Sequence, residues 1–127
     1  MSGMHQNSKT GRAAWAARPG RESLRKRLGR LAEQIAARDG NRCVYCGATA
    51  ESSGAPLHLD HLTPRSARGT DEASNLVLAC CRCNCTRQAR SLAEWARIAA
   101  TIGLVFTASS IRGQARRKLP SISRGAK

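Results

Sequence analysis

The chain has 127 residues and a formal net charge of +14, and Val, Ile, Leu and Phe make up only about 16% of it because 21 of its apolar residues are Ala. That content is too small to fold by burial alone, so the six cysteines are the expected staple, and a pI of about 11.2 points to a polyanionic partner. The longest apolar stretch, Ile98–Ala108, is too short to span a bilayer and the N-terminus has no apolar signal region; the expectation is no membrane and a cytoplasmic setting, where thiols stay reduced.

Residues 1–21 hold Gly, Ser and Pro without periodicity and read as a flexible basic arm. Residues 22–42 read as a basic amphipathic helix, with Leu24, Leu28, Leu31 and Ile35 on one face, Arg25, Lys26, Arg27, Arg30 and Arg38 on the others, and Asp39-Gly40 as its end. Residues 43–90 open with the turn Cys43-Val-Tyr-Cys46 and a Gly/Ser/Ala/Pro loop. The alternation Leu57-His58-Leu59-Asp60-His61 predicts a strand. A long polar loop, a second strand at Leu76–Leu78 and a helix from Cys81 to Arg90 complete this segment. In residues 91–108, Ser91-Leu-Ala-Glu94 opens a further helix with Leu92, Trp95, Ile98, Ala99 and Ile102 facing inward. Residues 109–127 read as a basic tail. The net charge runs +7 over residues 1–42, +1 over 43–90 and +6 over 91–127, which suggests chemistry at the centre and phosphate contacts from the flanks, including Arg116, Arg117 and Lys118.

Cys43-x2-Cys46 and Cys80-x2-Cys83 are two identical knuckles. A two-residue gap lets both thiolates of a turn face one ion, and two such turns supply the four ligands that zinc prefers. The expectation is a structural zinc site at Cys43, Cys46, Cys80 and Cys83, with Cys81 and Cys85 surplus. Four thiolates close the ion's coordination, so catalysis must lie elsewhere. Asp60-His61 at a strand end sets a hard oxygen beside an imidazole, a pairing suited to a Mg²⁺-type ion next to a general base. Asn84, one residue beyond the last knuckle, is placed to give the same ion a second oxygen. His58 should share a strand face with Asp60.

On these residues, with Asn75 opening the second strand and Pro64, Arg65, Ser66 and Gly69 in the loop, the stretch Cys43–Arg90 resembles the HNH endonuclease family, in the subgroup with a four-cysteine zinc site. The resemblance implies an α+β fold: a small zinc-stapled ββα-metal core, here flanked by basic helices. It implies a metal-dependent endonuclease that hydrolyses DNA phosphodiester bonds, of the kind used by phages and mobile elements. His61 would be the general base, Asp60 and Asn84 would hold a catalytic divalent ion (Mg²⁺, or another such as Mn²⁺ or Ni²⁺), and Asn75 would brace the loop. The family often has Gly-Gly where this chain has Arg68-Gly69, and Lys where it offers Arg87. Arg25, Lys26, Arg27, Arg30, Arg65, Arg68, Arg87, Arg116, Arg117 and Lys118 are the expected DNA contacts. A homodimer or a larger nucleoprotein partner stays open. The rival reading is a non-catalytic zinc-stapled DNA-binding module, which has no reason to hold Asp60, His61 and Asn84 together.

Overall fold

A computed structural model of the chain describes residues 24–122, with the side chain of Arg25 outside the description. The arm over residues 1–21 and the last residues of the basic tail therefore lie outside the described residues. The periodic segment forms two helices, α1 (Leu24–Leu28) and α2 (Arg30–Arg38), rather than one. Gly29 separates them with φ at 54°, a left-handed conformation that glycine adopts without a Cβ penalty. Ala32, Ile35 and Ala36 of α2 are buried, and Leu24, Leu28 and Leu31 pack against the same core, so the apolar stripe works as read.

A short helix, α3 (Ala50–Ser53), interrupts the loop after the first knuckle, closed by a reciprocal Thr49–Ser52 capping box. Strands β1 (His58–His61) and β2 (Leu76–Ala79) then pair antiparallel, with His58 opposite Ala79 and His61 opposite Leu76. Every residue of β2 is buried. The first knuckle docks on it, Val44 N–H donating to Leu78 C=O at 2.9 Å. Helix α4 (Cys81–Arg87) follows β2 directly. The β1–loop–β2–α4 order thus gives the α+β, ββα arrangement, with helices around a two-stranded sheet.

Helix α5 (Leu92–Ala100) starts at Ser91, whose side chain accepts from Glu94 N–H. Leu92, Trp95 and Ala99 are buried as expected, but Ile102 is 53% exposed. The helix stops at Ala100, and the turn after it carries Ile102 out of the inward row. Trp95 instead meets Tyr45 and Phe106, with ring centroids 5.6 and 5.8 Å away.

The segment read as a tail begins with a helix, α6 (Ala108–Ala115), capped reciprocally by Thr107 and Ser110, and Ile111 and Ala115 enter the core. A buried ion pair ties α6 to the sheet. Arg38 donates to Asp39 at 2.8 Å, to Ala115 C=O and to Leu76 C=O, while Asp39 accepts from Leu78 N–H and from Gln114. Arg38, expected on a polar face, is therefore an interior strut. Among the described residues no helix is long and apolar enough to cross a membrane.

Candidate active site and metal centre

The two knuckles converge. The sulfurs of Cys43, Cys46, Cys80 and Cys83 all lie within 4.8 Å of one another, with Cys46 Sγ and Cys80 Sγ 3.6 Å apart. A tetrahedron of thiolates about 2.3 Å from zinc has edges of about 3.8 Å, so donor set and size both fit that ion. The chemistry of the sulfurs agrees. A hydrogen bond from Cys83 holds the Cys43 thiol down at about 5, while the same bond and burial push Cys83 up. Crowded thiols share a proton in this way, and a cation would take its place. Cys81 and Cys85 stay outside the cluster. They are exposed on α4, one turn apart, with their sulfurs 3.8 Å from each other, and burial pushes the Cys85 thiol up, away from the reactive thiolate form.

Asp60 sits on β1, 7% exposed. Its Oδ2 accepts from Tyr45 Oη–H at 2.6 Å and from Arg87 Nη1 at 2.7 Å. Burial, then the charge of Asp60, push the Tyr45 phenol far above its ordinary value, so it remains a donor. Arg87 comes from α4 and is 1% exposed. Its guanidinium also donates to the carbonyls of His61, Leu62 and Arg90. The expectation that Arg87 contacts DNA is thereby corrected: its donors are spent inside the protein, joining α4 to the end of β1.

Asn84 lies on α4 one turn before Arg87 and is half-buried. Residues three apart share a helix face, so the face that reaches Asp60 through Arg87 also carries Asn84. A carboxylate oxygen and an amide oxygen are both hard donors of the kind a divalent cation takes. His58, two residues before Asp60 on β1, is half-buried.

His61 ends β1, and its Nε2 is 2.7 Å from Asp71 Oδ1. Asp71 was not singled out in the sequence; it stands ten residues away in the polar loop, and only the loop's fold returns it. Asn75 shapes that fold. Its Oδ1 accepts from Thr63 N–H at 2.8 Å, and its Nδ2 donates to the carbonyls of Thr63 and Thr70. Leu62 N–H donates to Asn75 C=O as the ladder's last rung. Gly69 closes the loop: a Cβ there would stand 1.6 Å from Thr63 C=O. Asp71 further accepts from Arg65 at 2.6 Å and from Arg27 at 3.3 Å. The His61 hydrogen bond first, then these arginines, hold its carboxyl below the ordinary value.

The remaining basic residues fall on the surface. Lys26, Arg27 and Arg30 are exposed on α1 and at the start of α2, Arg65 and Arg68 on the loop, and Arg116, Arg117 and Lys118 beyond α6. The chain after α6 returns to α2, where Arg30 donates to Ile122 C=O and Gln34 to Pro120 C=O.

Comparison with known proteins agrees with this geometry. Residues 43–90 match the family model described as HNH endonuclease. Over 65 residues the chain is 35% identical to a CRISPR-associated endonuclease Cas9 of Corynebacterium diphtheriae, a stretch that takes in 50% of this chain and 6% of that protein. No solved structure matches.

Proposed function

We propose that the protein, whose residues 43–90 match the family model described as HNH endonuclease, is a nuclease that hydrolyses DNA phosphodiester bonds with His61 as general base and one divalent ion. The observation that carries this reading is the Asp60-His61 pair at the end of β1, with Asp60 tied through Arg87 to α4, the helix that bears Asn84.

His61 would take a proton from a water molecule lying in line with the scissile bond. The water oxygen bonds to phosphorus as the bond from phosphorus to the 3′ oxygen breaks, and that oxygen leaves with the electron pair and takes a proton from solvent. The products are a 3′ hydroxyl and a 5′ phosphate. Asp60 and Asn84 would hold the ion, which supplies Lewis-acid stabilisation of charge on the phosphate and the leaving oxygen. Arg87 and Tyr45 keep the Asp60 carboxylate in one orientation, and Asn75 fixes the loop over His61. The thiolate cluster would hold zinc and keep α4 against the sheet, with no part in the chemistry.

Plasmid cleavage by the purified chain in Mg²⁺, Mn²⁺ and Ni²⁺ tests the reading. His61→Ala should lower the rate at least ~10²-fold with DNA affinity kept, the usual scale for losing a general base. Asp60→Asn and Asn84→Ala should be partly rescued by more of the ion, and Asn75→Ala should fall between. Plasmid that is bound yet left uncut in every metal would instead favour the DNA-binding module.

A further inference from the structure

Asp71 lies at the centre of a set of donors that no motif in the sequence assigns. Its carboxylate faces His61 Nε2 at 2.7 Å, Arg65 Nη2 at 2.8 and 2.6 Å, and Arg27 Nη1 at 3.3 Å. We propose, on the nuclease reading above, that Asp71 is the positioning residue of His61: by accepting Nε2–H it fixes the ring so that Nδ1 is the nitrogen that takes the proton from water.

An ionised carboxylate can only accept hydrogen bonds. Two arginines on the same carboxylate favour that ionised form. The contact at 2.7 Å therefore requires a proton on Nε2, and a neutral imidazole with its proton there has its lone pair on Nδ1. The tautomer is thus set by Asp71 and not by the substrate. The carboxylate is itself held from several directions. Arg65 grips both oxygens from the same loop, Arg27 reaches it from α1, and Asn75 and Gly69 shape the loop between His61 and Asp71. A base whose free nitrogen and ring plane are fixed before substrate arrives needs no reorganisation in the transition state. Asp71 touches neither substrate nor the reacting atoms in this scheme.

The test uses the full zinc-loaded chain, with ¹⁵N-labelled histidine read by NMR at one alkaline pH where the ring is neutral, beside plasmid cleavage kinetics. Wild type should show His61 as a single tautomer, protonated at Nε2. Asp71→Ala should give a mixture of tautomers and lower kcat about 10- to 100-fold, leaving KM for DNA within about twofold, as expected when an aligned base is loosened. Asp71→Asn should recover part of the loss, since its amide oxygen can accept the same hydrogen bond without the charge. Arg65→Ala removes a partner of the carboxylate but leaves Asp71 facing the ring, and should keep the tautomer; it separates positioning from a general loosening of the loop. Retained zinc and circular dichroism verify that each variant is folded. A wild-type ring protonated at Nδ1 would overturn the proposal, as would an Asp71→Ala chain that cuts at full rate or loses activity with its tautomer unchanged. Wild type that cuts no DNA would overturn the nuclease reading separately, and the NMR arm would still decide whether Asp71 sets the tautomer.

Discussion

Arg87 and Asp60 form a buried ion pair, Nη1 to Oδ2 at 2.7 Å, that joins the helix of the second knuckle to the strand carrying Asp60 and His61. The carboxylate expected to hold the ion is therefore balanced by a permanent cation on one oxygen. A buried pair need not stabilise relative to an apolar one, but removing one partner leaves a charge stranded. Arg87→Met should destabilise the fold by about 3–5 kcal/mol by that principle, read as a lower midpoint in urea. Arg87→Lys should rescue little, because one ammonium cannot replace the bonds to Asp60, His61, Leu62 and Arg90. An Arg87→Met chain with wild-type stability would show that the pair is dispensable.

The sulfur cluster predicts a second outcome. One zinc should be found per chain, and chelating it should unfold the domain, since the small apolar core then has nothing to close it. Serine at Cys43, Cys46, Cys80 or Cys83 should do the same, while Cys81→Ser and Cys85→Ser should be mild, because both thiols lie outside the cluster on the exposed side of α4. Circular dichroism during chelation reads the first, and metal analysis of the variants the second.

What the sequence made legible follows from spacing. Knuckle intervals, the alternation ending in Asp60-His61, the stripe on α2 and the cap at Ser91 are local patterns, and each appears in the fold where its period places it. What it hid depends on partners far along the chain. Nothing near Arg38 or Arg87 distinguishes them from solvated arginines; their burial needs carbonyls from Ala115 and Leu62. Asp71 reads as one more loop acid until the Asn75 bonds turn the loop back. The helix α6 was missed because its cap pairs Thr107 with Ser110 rather than with an acid, and its buried stripe is narrow.

The two basic flanks, separate in sequence, come together when the chain beyond α6 reaches Arg30 and Gln34. One duplex should then meet both. The logarithm of affinity should fall with the logarithm of salt by about 0.9 for each phosphate neutralised. Neutral substitutions at Arg116, Arg117 and Lys118, or at Lys26 and Arg30, should each make that slope shallower on a duplex of about two turns. Titrations at several salt concentrations measure it, and a slope unmoved by either set would mark the charge as solubilising only.

Acid should reach the His61 loop late. The Asp71 carboxyl is held below its unfolded value of about 3.9 by the His61 hydrogen bond first, with Arg65 and Arg27 adding to it. A lowered folded value means the stabilisation is complete above the unfolded one and is lost as pH falls through the folded one. The tether should thus be intact at pH 5 and fail only below about 4. Carboxyl ¹³C titration should place the Asp71 inflection below the ordinary range and show it rising in Arg65→Ala. An inflection at the ordinary value in wild type would contradict the tether.

Arg68 and Gly69 make opposite demands on the same turn. Arg68 has φ at 68°, a left-handed conformation costly for a residue with a Cβ, whereas Gly69 leaves no room for any side chain against Thr63 C=O. Arg68→Gly should therefore relieve backbone strain of about 1 kcal/mol, offset in part by the greater freedom of glycine in the unfolded chain. Gly69→Ala should force the loop off Thr63, disturbing the Asn75 bonds and the approach of Asp71 to His61. Hydrogen exchange at Thr63 N–H, which Asn75 Oδ1 accepts, reads this directly. Exchange should quicken in Gly69→Ala and stay slow in Arg68→Gly. Equal exchange in both variants would show that the loop holds its shape without the close approach at Gly69.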